Sequence, residues 1–224
     1  MFIGHYGVGL AAKKIDGRPS LGTLFLAAQF LDILWPVFII LGVEKVEIES
    51  VSKQFLTLHF TSYPYSHSLA AAIFWSIVFG AVYYLIKKNF KVSMILGCLV
   101  FSHWVLDLIV HVPDLQLVPG IGARVGLGLW NSTTMTIIVE GLIFVVGIFL
   151  YLSSSKVQNL RGSIALWSLI IFLAFVYIIN LIGPPPPSVK AIGFAGLSQW
   201  LIIAWAYWAE KNRVRSTGES SAIS

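Results

Sequence analysis

Six apolar stretches of about 20 residues recur along this 224-residue chain, near residues 22–42, 66–86, 92–112, 132–152, 163–182 and 189–209. As a helix, each is long enough to cross a hydrocarbon core of about 30 Å. Within hydrocarbon every backbone N–H and C=O needs an internal partner. The expected fold is therefore an all-α, polytopic membrane helix bundle of about six transmembrane helices. Composition agrees, because 57% of the residues are hydrophobic and only 11% charged, against about 25% charged in a soluble domain. That balance excludes a soluble globular enzyme, a disordered chain and a disulfide scaffold. The single cysteine, Cys98, has no internal partner to bridge and reads as a small core hydrophobe.

The net charge of +5 does not point to nucleic acid, since no stretch mixes basic residues with base-stacking aromatics on a polar face. The basic residues sit in short loops. Taken alternately across the six spans, one side holds Lys13, Lys14, Arg18, Lys87, Lys88, Lys91, Lys156, Arg161, Lys211, Arg213 and Arg215. The other holds Lys45, Lys53, Arg124 and Lys190. The positive-inside rule then places both termini in the cytoplasm, with membrane lipids as partners. Residues 1–215 read as one transmembrane domain and 216–224 as a disordered tail.

Two segments fit no span. Residues 1–12 would reach only about 18 Å as a helix, so they read as an N-terminal half-helix dipping in from the cytoplasmic face and turning back at Lys13 and Lys14. Residues 44–60 combine Glu44, Glu47 and Glu49 with Phe55, Leu56, Leu58 and Phe60. They read as an element on the outer interface that shields what lies beneath.

Several ionisable groups fall inside the spans: Asp32 in the first, His103, Asp107 and His111 in the third, and Glu140 in the fourth. At mid-depth each costs on the order of 2.5–3.5 kcal/mol by insertion measurements, so mutual compensation in the bundle interior is expected. His103 and Asp107 are one turn apart on one helical face, a spacing that suits chelation of one divalent metal or a hydrogen-bonded dyad. At 1.5 Å per residue His5, Asp32 and His103 reach roughly the same level, about 12–16 Å above the cytoplasmic turns. His67 counts to about 30 Å and needs a kinked second helix to join them.

These residues resemble a known pattern. An N-terminal His, an Asp after Ala27-Ala28-Gln29-Phe30-Leu31, Ser66-His67-Ser68-Leu69 and Ser102-His103-x-x-x-Asp107 occur in that order over the first 115 residues. The chain thereby resembles the bacterial membrane-bound metal-dependent hydrolases, the YdjM-like inner-membrane family. The resemblance implies His5, Asp32, His67, His103 and Asp107 as metal ligands, and a bacterial inner-membrane location. Leu34 stands where the family has a second acid and Ser62 where it has a further His, which reduces the implied site to a single metal.

Zn²⁺ suits a mixed imidazole and carboxylate shell, with Mn²⁺ and Fe²⁺ as alternatives. Glu140 and Asp114 are candidate general bases, and Arg124, among Gly120, Gly122, Gly126 and Gly128, is a candidate partner for a substrate phosphate. The leading functional expectation is a metal-dependent hydrolase acting on a lipid or lipid-linked ester or phosphoester. A proton- or metal-coupled carrier and a non-catalytic membrane scaffold are the alternatives.

Overall fold

A computed structural model describes residues 1–48 and 57–215. Glu49, Phe55 and Leu56 of the expected interfacial element, and the expected tail 216–224, lie outside the described residues. The helices are α1 (Ile3–Ile15), α2 (Leu21–Ala28), α3 (Phe30–Ile40), α4 (Pro64–His67), α5 (Leu69–Lys87), α6 (Phe90–Val110), α7 (Thr133–Ser154), α8 (Leu160–Ile182), α9 (Val189–Leu197) and α10 (Gln199–Lys211). Three antiparallel ribbons join them: β1 (Lys45–Ile48) with β2 (Leu58–Ser62), β3 (Leu115–Val118) with β4 (Ile121–Val125), and β5 (Ser155–Val157) with β6 (Arg213–Arg215).

The helix starts are written locally. Ser20, Ser68, Asn89, Ser132, Asn159 and Ser188 each accept the backbone N–H three residues on, satisfying a donor that the first turn leaves free. Among the described residues five helical segments are long and apolar enough to cross a membrane, with α9 and α10 counted as one. The first expected span is a bent pair, in which α2 and α3 meet at 55° around Gln29. The second expected span also divides, because Ser68 is extended and separates α4 from α5. Between 17% (α5) and 44% (α6) of each apolar span is buried inside the bundle, so most of that surface faces outward. Cys98 is on that outward surface of α6 and not in a core.

Helix α1 is too short to span and is buried on nearly every side. It packs along α7 at a close crossing of Gly7 and Gly147. A Cβ on Gly7 would strike the backbone of Ile143 and Phe144, and one on Gly147 would strike the Gly7 carbonyl. Small residues at helix crossings permit this approach. Tyr6 and Leu10 of α1 join Phe25, Tyr151, Leu166, Leu169 and Leu173 in the main apolar core.

The far end of α1 lies on the basic face, where Lys13 pairs with Glu210 of α10 and donates to the Pro19 carbonyl at 2.8 Å. Its near end is inside the bundle. The Met1 amino group lies 2.8 Å from Asp107 Oδ1 in mid-bundle, whereas Arg213 on β6 pairs with Val157 of β5 on the basic face.

Candidate metal centre

The break at Gln29 builds half of the site. Ala28 ends α2, so its carbonyl has no N–H donor from its own helix. It accepts instead from Nδ1 of His103, at 2.8 Å. A carbonyl only accepts, so Nδ1 carries a hydrogen and Nε2 is the nitrogen that would ligate a metal when the ring is neutral. The same break starts α3 and places Asp32 in its first turn, where the helix dipole favours a carboxylate. Asp32 Oδ1 lies 3.6 Å and Asp107 Oδ2 3.1 Å from His103 Nε2.

The break at Ser68 builds the other half. Freed from α5, the turn α4 folds inward, which closes the height difference that a straight second helix would have left. His67 Nε2 comes to 3.3 Å from Asp32 Oδ1 and 3.7 Å from Asp107 Oδ2. On the other side of its ring, Nδ1 is 2.7 Å from Ser66 Oγ. That hydroxyl donates its own hydrogen to Glu44 Oε2 at 2.6 Å. It is therefore left to accept from His67 Nδ1–H, and Nε2 is again the nitrogen turned toward the carboxylates. Glu44 is buried and is held by the Tyr65 and Ser66 N–H groups, both at 2.8 Å. Nothing periodic in the sequence marks Glu44, Ser66 or the Ala28 carbonyl as supports for the imidazoles.

His5 stacks on His103 with ring centroids 3.6 Å apart, and its Nε2 is 3.1 Å from Asp107 Oδ1. The structure thus brings together all five residues named from the sequence, from four separate helical segments. Two overlapping groups, His5–His103–Asp107 and Asp32–His67–His103, have the spacing of metal ligands.

The donor atoms also have suitable shape. Bonds of about 2.0–2.1 Å to nitrogen and oxygen give a tetrahedron with edges of roughly 3.4 Å. Four of the six edges, those between the His67 and His103 Nε2 atoms and the Asp32 and Asp107 oxygens, run from 3.1 to 3.7 Å, while the sets whose donor atoms all lie within 4.8 Å of one another are threes. Outer partners on both Nδ1 atoms are the arrangement that metal-binding histidines require. The Met1 ammonium pairs with Asp107, and the Asp32 carboxylate meets only the imidazoles among the described residues, so a cation beside Asp32 suits this cluster in charge as well.

A cavity of about 230 Å³ adjoins the cluster, reached by Asp32, His67 and Asp107. Leu58 and Phe60 of β2, from the segment expected on the interface, form part of its wall. Glu140 also lines it, and Oε2 is occupied, accepting from Phe2 N at 2.9 Å and Gly4 N at 3.4 Å at the start of α1. Its Oε1 is buried with no hydrogen-bond partner among the described residues.

Asp114 does not line the cavity. It accepts from Tyr63 OH at 2.6 Å and lies 2.9 Å from His111 Nδ1, and those two side chains form the wall in its place. Burial, and then the nearby Asp114 charge, pushes the Tyr63 hydroxyl pKa well above the usual tyrosine range, so it stays a donor. His111 is the C-cap of α6, outside its last turn, which is why it leaves the stripe begun by His103 and Asp107. Arg124 is exposed on β4, where Nη2 donates to the Thr61 carbonyl at 3.2 Å. It ties two ribbons together and takes no place in the cavity wall.

Comparison with known proteins gives the site no name: the chain matches no family model, no curated protein and no solved structure. What can be said of its chemistry comes from the geometry.

Proposed function

We propose that the protein is a membrane-embedded metal-dependent hydrolase acting on a lipid or lipid-linked ester or phosphoester, with Zn²⁺ as the preferred ion. The observation that carries this reading is the orientation of His67 and His103. Both have Nδ1 engaged by an outer partner and Nε2 turned toward Asp32 and Asp107, beside a cavity. In a scaffold the polar groups would be expected to satisfy one another, yet Glu140 Oε1 is buried without a hydrogen bond among the described residues. The likeness of the sequence to bacterial membrane-bound metal-dependent hydrolases favours the same chemistry.

His67, His103, Asp32 and Asp107 would hold the ion, with His5 positioning Asp107 through its other oxygen. A divalent ion there supplies Lewis acidity, polarising a phosphoryl or carbonyl oxygen and acidifying water. The residues of the chain do the rest. Glu140 Oε1 is the free acceptor on the cavity wall and takes the proton of the attacking water. Tyr63 and His111, held by Asp114, shape the opposite wall.

Elemental analysis of detergent-purified protein should find stoichiometric Zn²⁺, Mn²⁺ or Fe²⁺. The same material should release phosphate or acid from vesicles of phosphatidic acid and phosphatidylglycerol, followed by ³¹P NMR and product mass. Absence of all three metals overturns the metal centre. Bound metal with ion flux in proteoliposomes and no lipid turnover replaces the hydrolase by a carrier.

A further inference from the structure

A second, larger cleft of about 770 Å³ runs between α8 and the α9–α10 segment. It shares Phe2, Trp35, Leu58 and Asn180 with the wall of the polar cavity, so the two spaces adjoin at those four side chains. Phe172, Val176 and Asn180, four residues apart, put one face of α8 along it, and Ala191, Ala195 and Gly196 leave room opposite. Phe172 is 37% and Leu201 73% exposed, so the cleft opens sideways onto the outward apolar surface of the bundle.

Away from Trp35 and Asn180, where it meets the polar cavity, the polar side chains of its wall are already engaged. Gln199 accepts from Tyr6 OH and donates to the Asp32 carbonyl, and Ser198 donates to the Ala195 carbonyl. A ligand there finds apolar contact and few free hydrogen-bonding groups until it reaches Asn180 at the junction. The volume lies within the roughly 300–1,000 Å³ typical of sites that enclose a small molecule.

We propose that this cleft holds one hydrocarbon chain of a membrane phospholipid, entering from the side between α8 and α9–α10, while its phosphoester head group occupies the His–Asp cavity. This rests on the site reading above and narrows it to amphiphiles whose head and chain are engaged together. The groove of about 720 Å³ between α5 and α6 is a natural control. It is as large and as apolar, but it shares no lining residue with the polar cavity.

The test is native mass spectrometry of zinc-loaded, detergent-solubilised protein with dipalmitoyl phosphatidic acid. Wild type and Ala81→Phe, which fills the control groove, should retain one lipid. Ala195→Phe should lose retention tenfold or more with zinc content unchanged, and Ala191→Phe is the second variant should the first fail to purify as a single species. Equal retention in wild type, Ala195→Phe and Ala191→Phe overturns the proposal, as does loss in Ala81→Phe alone. Lipid retained through Ala195 without any turnover sinks the hydrolase and keeps the chain site. Turnover that is indifferent to the Ala195 and Ala191 variants and to chain length keeps the hydrolase and sinks the chain site.

Discussion

Charged groups gather in two places in this protein, and they are arranged on opposite principles. On the basic face each described acid has a cation: Lys13 meets Glu210, while Arg18 at 2.5 Å and Lys91 at 3.8 Å meet Asp16. Tyr151 adds a hydroxyl to Glu210 at 2.5 Å. In mid-bundle two carboxylates, Asp32 and Asp107, face imidazoles whose donor hydrogens are spent on Ala28 O and Ser66 Oγ. The first arrangement closes on itself and locks α1 to α10. The second sets two carboxylates against imidazole nitrogens with one ammonium, that of Met1, on Asp107, an arrangement that a cation held between the side chains would stabilise further. Similar residue types thus act as a clasp in one place and as a binding site in the other.

The comparison breaks most sharply at the ligands. His103→Ala and Asp107→Asn should each reduce bound metal to background while the protein remains folded; metal retained in both variants would end the argument. Next in size is the clasp. Glu210→Gln leaves the buried Lys13 ammonium uncompensated and should cost about 3–5 kcal/mol in a detergent unfolding titration, with no effect on metal stoichiometry. Lys13→Met combined with Glu210→Gln should recover much of that loss, since no buried charge is then left without its counter-charge.

Ser66→Ala should weaken metal affinity about 10–100-fold in a competitive chelator titration, because His67 loses the partner that fixes its tautomer. An unchanged affinity would show that Ser66 merely packs.

The smallest effect belongs to Asp16. Its hydrogen bonds with Arg18 hold its pKa down to about 2. A carboxylate depressed in the folded state contributes stability above its ordinary value near 4 and loses it as pH falls toward 2. Thermal unfolding between those pH values should therefore flatten slightly in Asp16→Asn, while the metal site variants keep the wild-type slope in that limb.

Much of the frame was legible because it is local. Six apolar lengths, Ser and Asn caps three residues before a free N–H, and an i,i+4 pair of His103 and Asp107 are written in short windows. The misjudged items depend on what packs where. Residues 22–42 look like one span, but Gln29 breaks it. Asp114 looks like a base, but Tyr63 and His111 stand between it and the cavity. Arg124 looks like a phosphate partner among glycines, but a ribbon carbonyl takes it. Glu44 reads as a surface acid and proves buried, because α4 turns its N–H groups onto it.

The amino-acid order by itself determined the number of apolar helices, where they start, and which side chains capable of holding a metal are carried into the bundle. Hydrophobic length and helical period act over a few turns, so no distant contact is needed to set them. The tertiary structure alone decided that helices bend at Gln29 and Ser68, that His67 descends to Asp32, and which nitrogen of each imidazole faces the carboxylates. Those outcomes turn on partners 75 residues away in the case of His103 and Ala28, where direction and hydrogen bonding are fixed only once the helices pack.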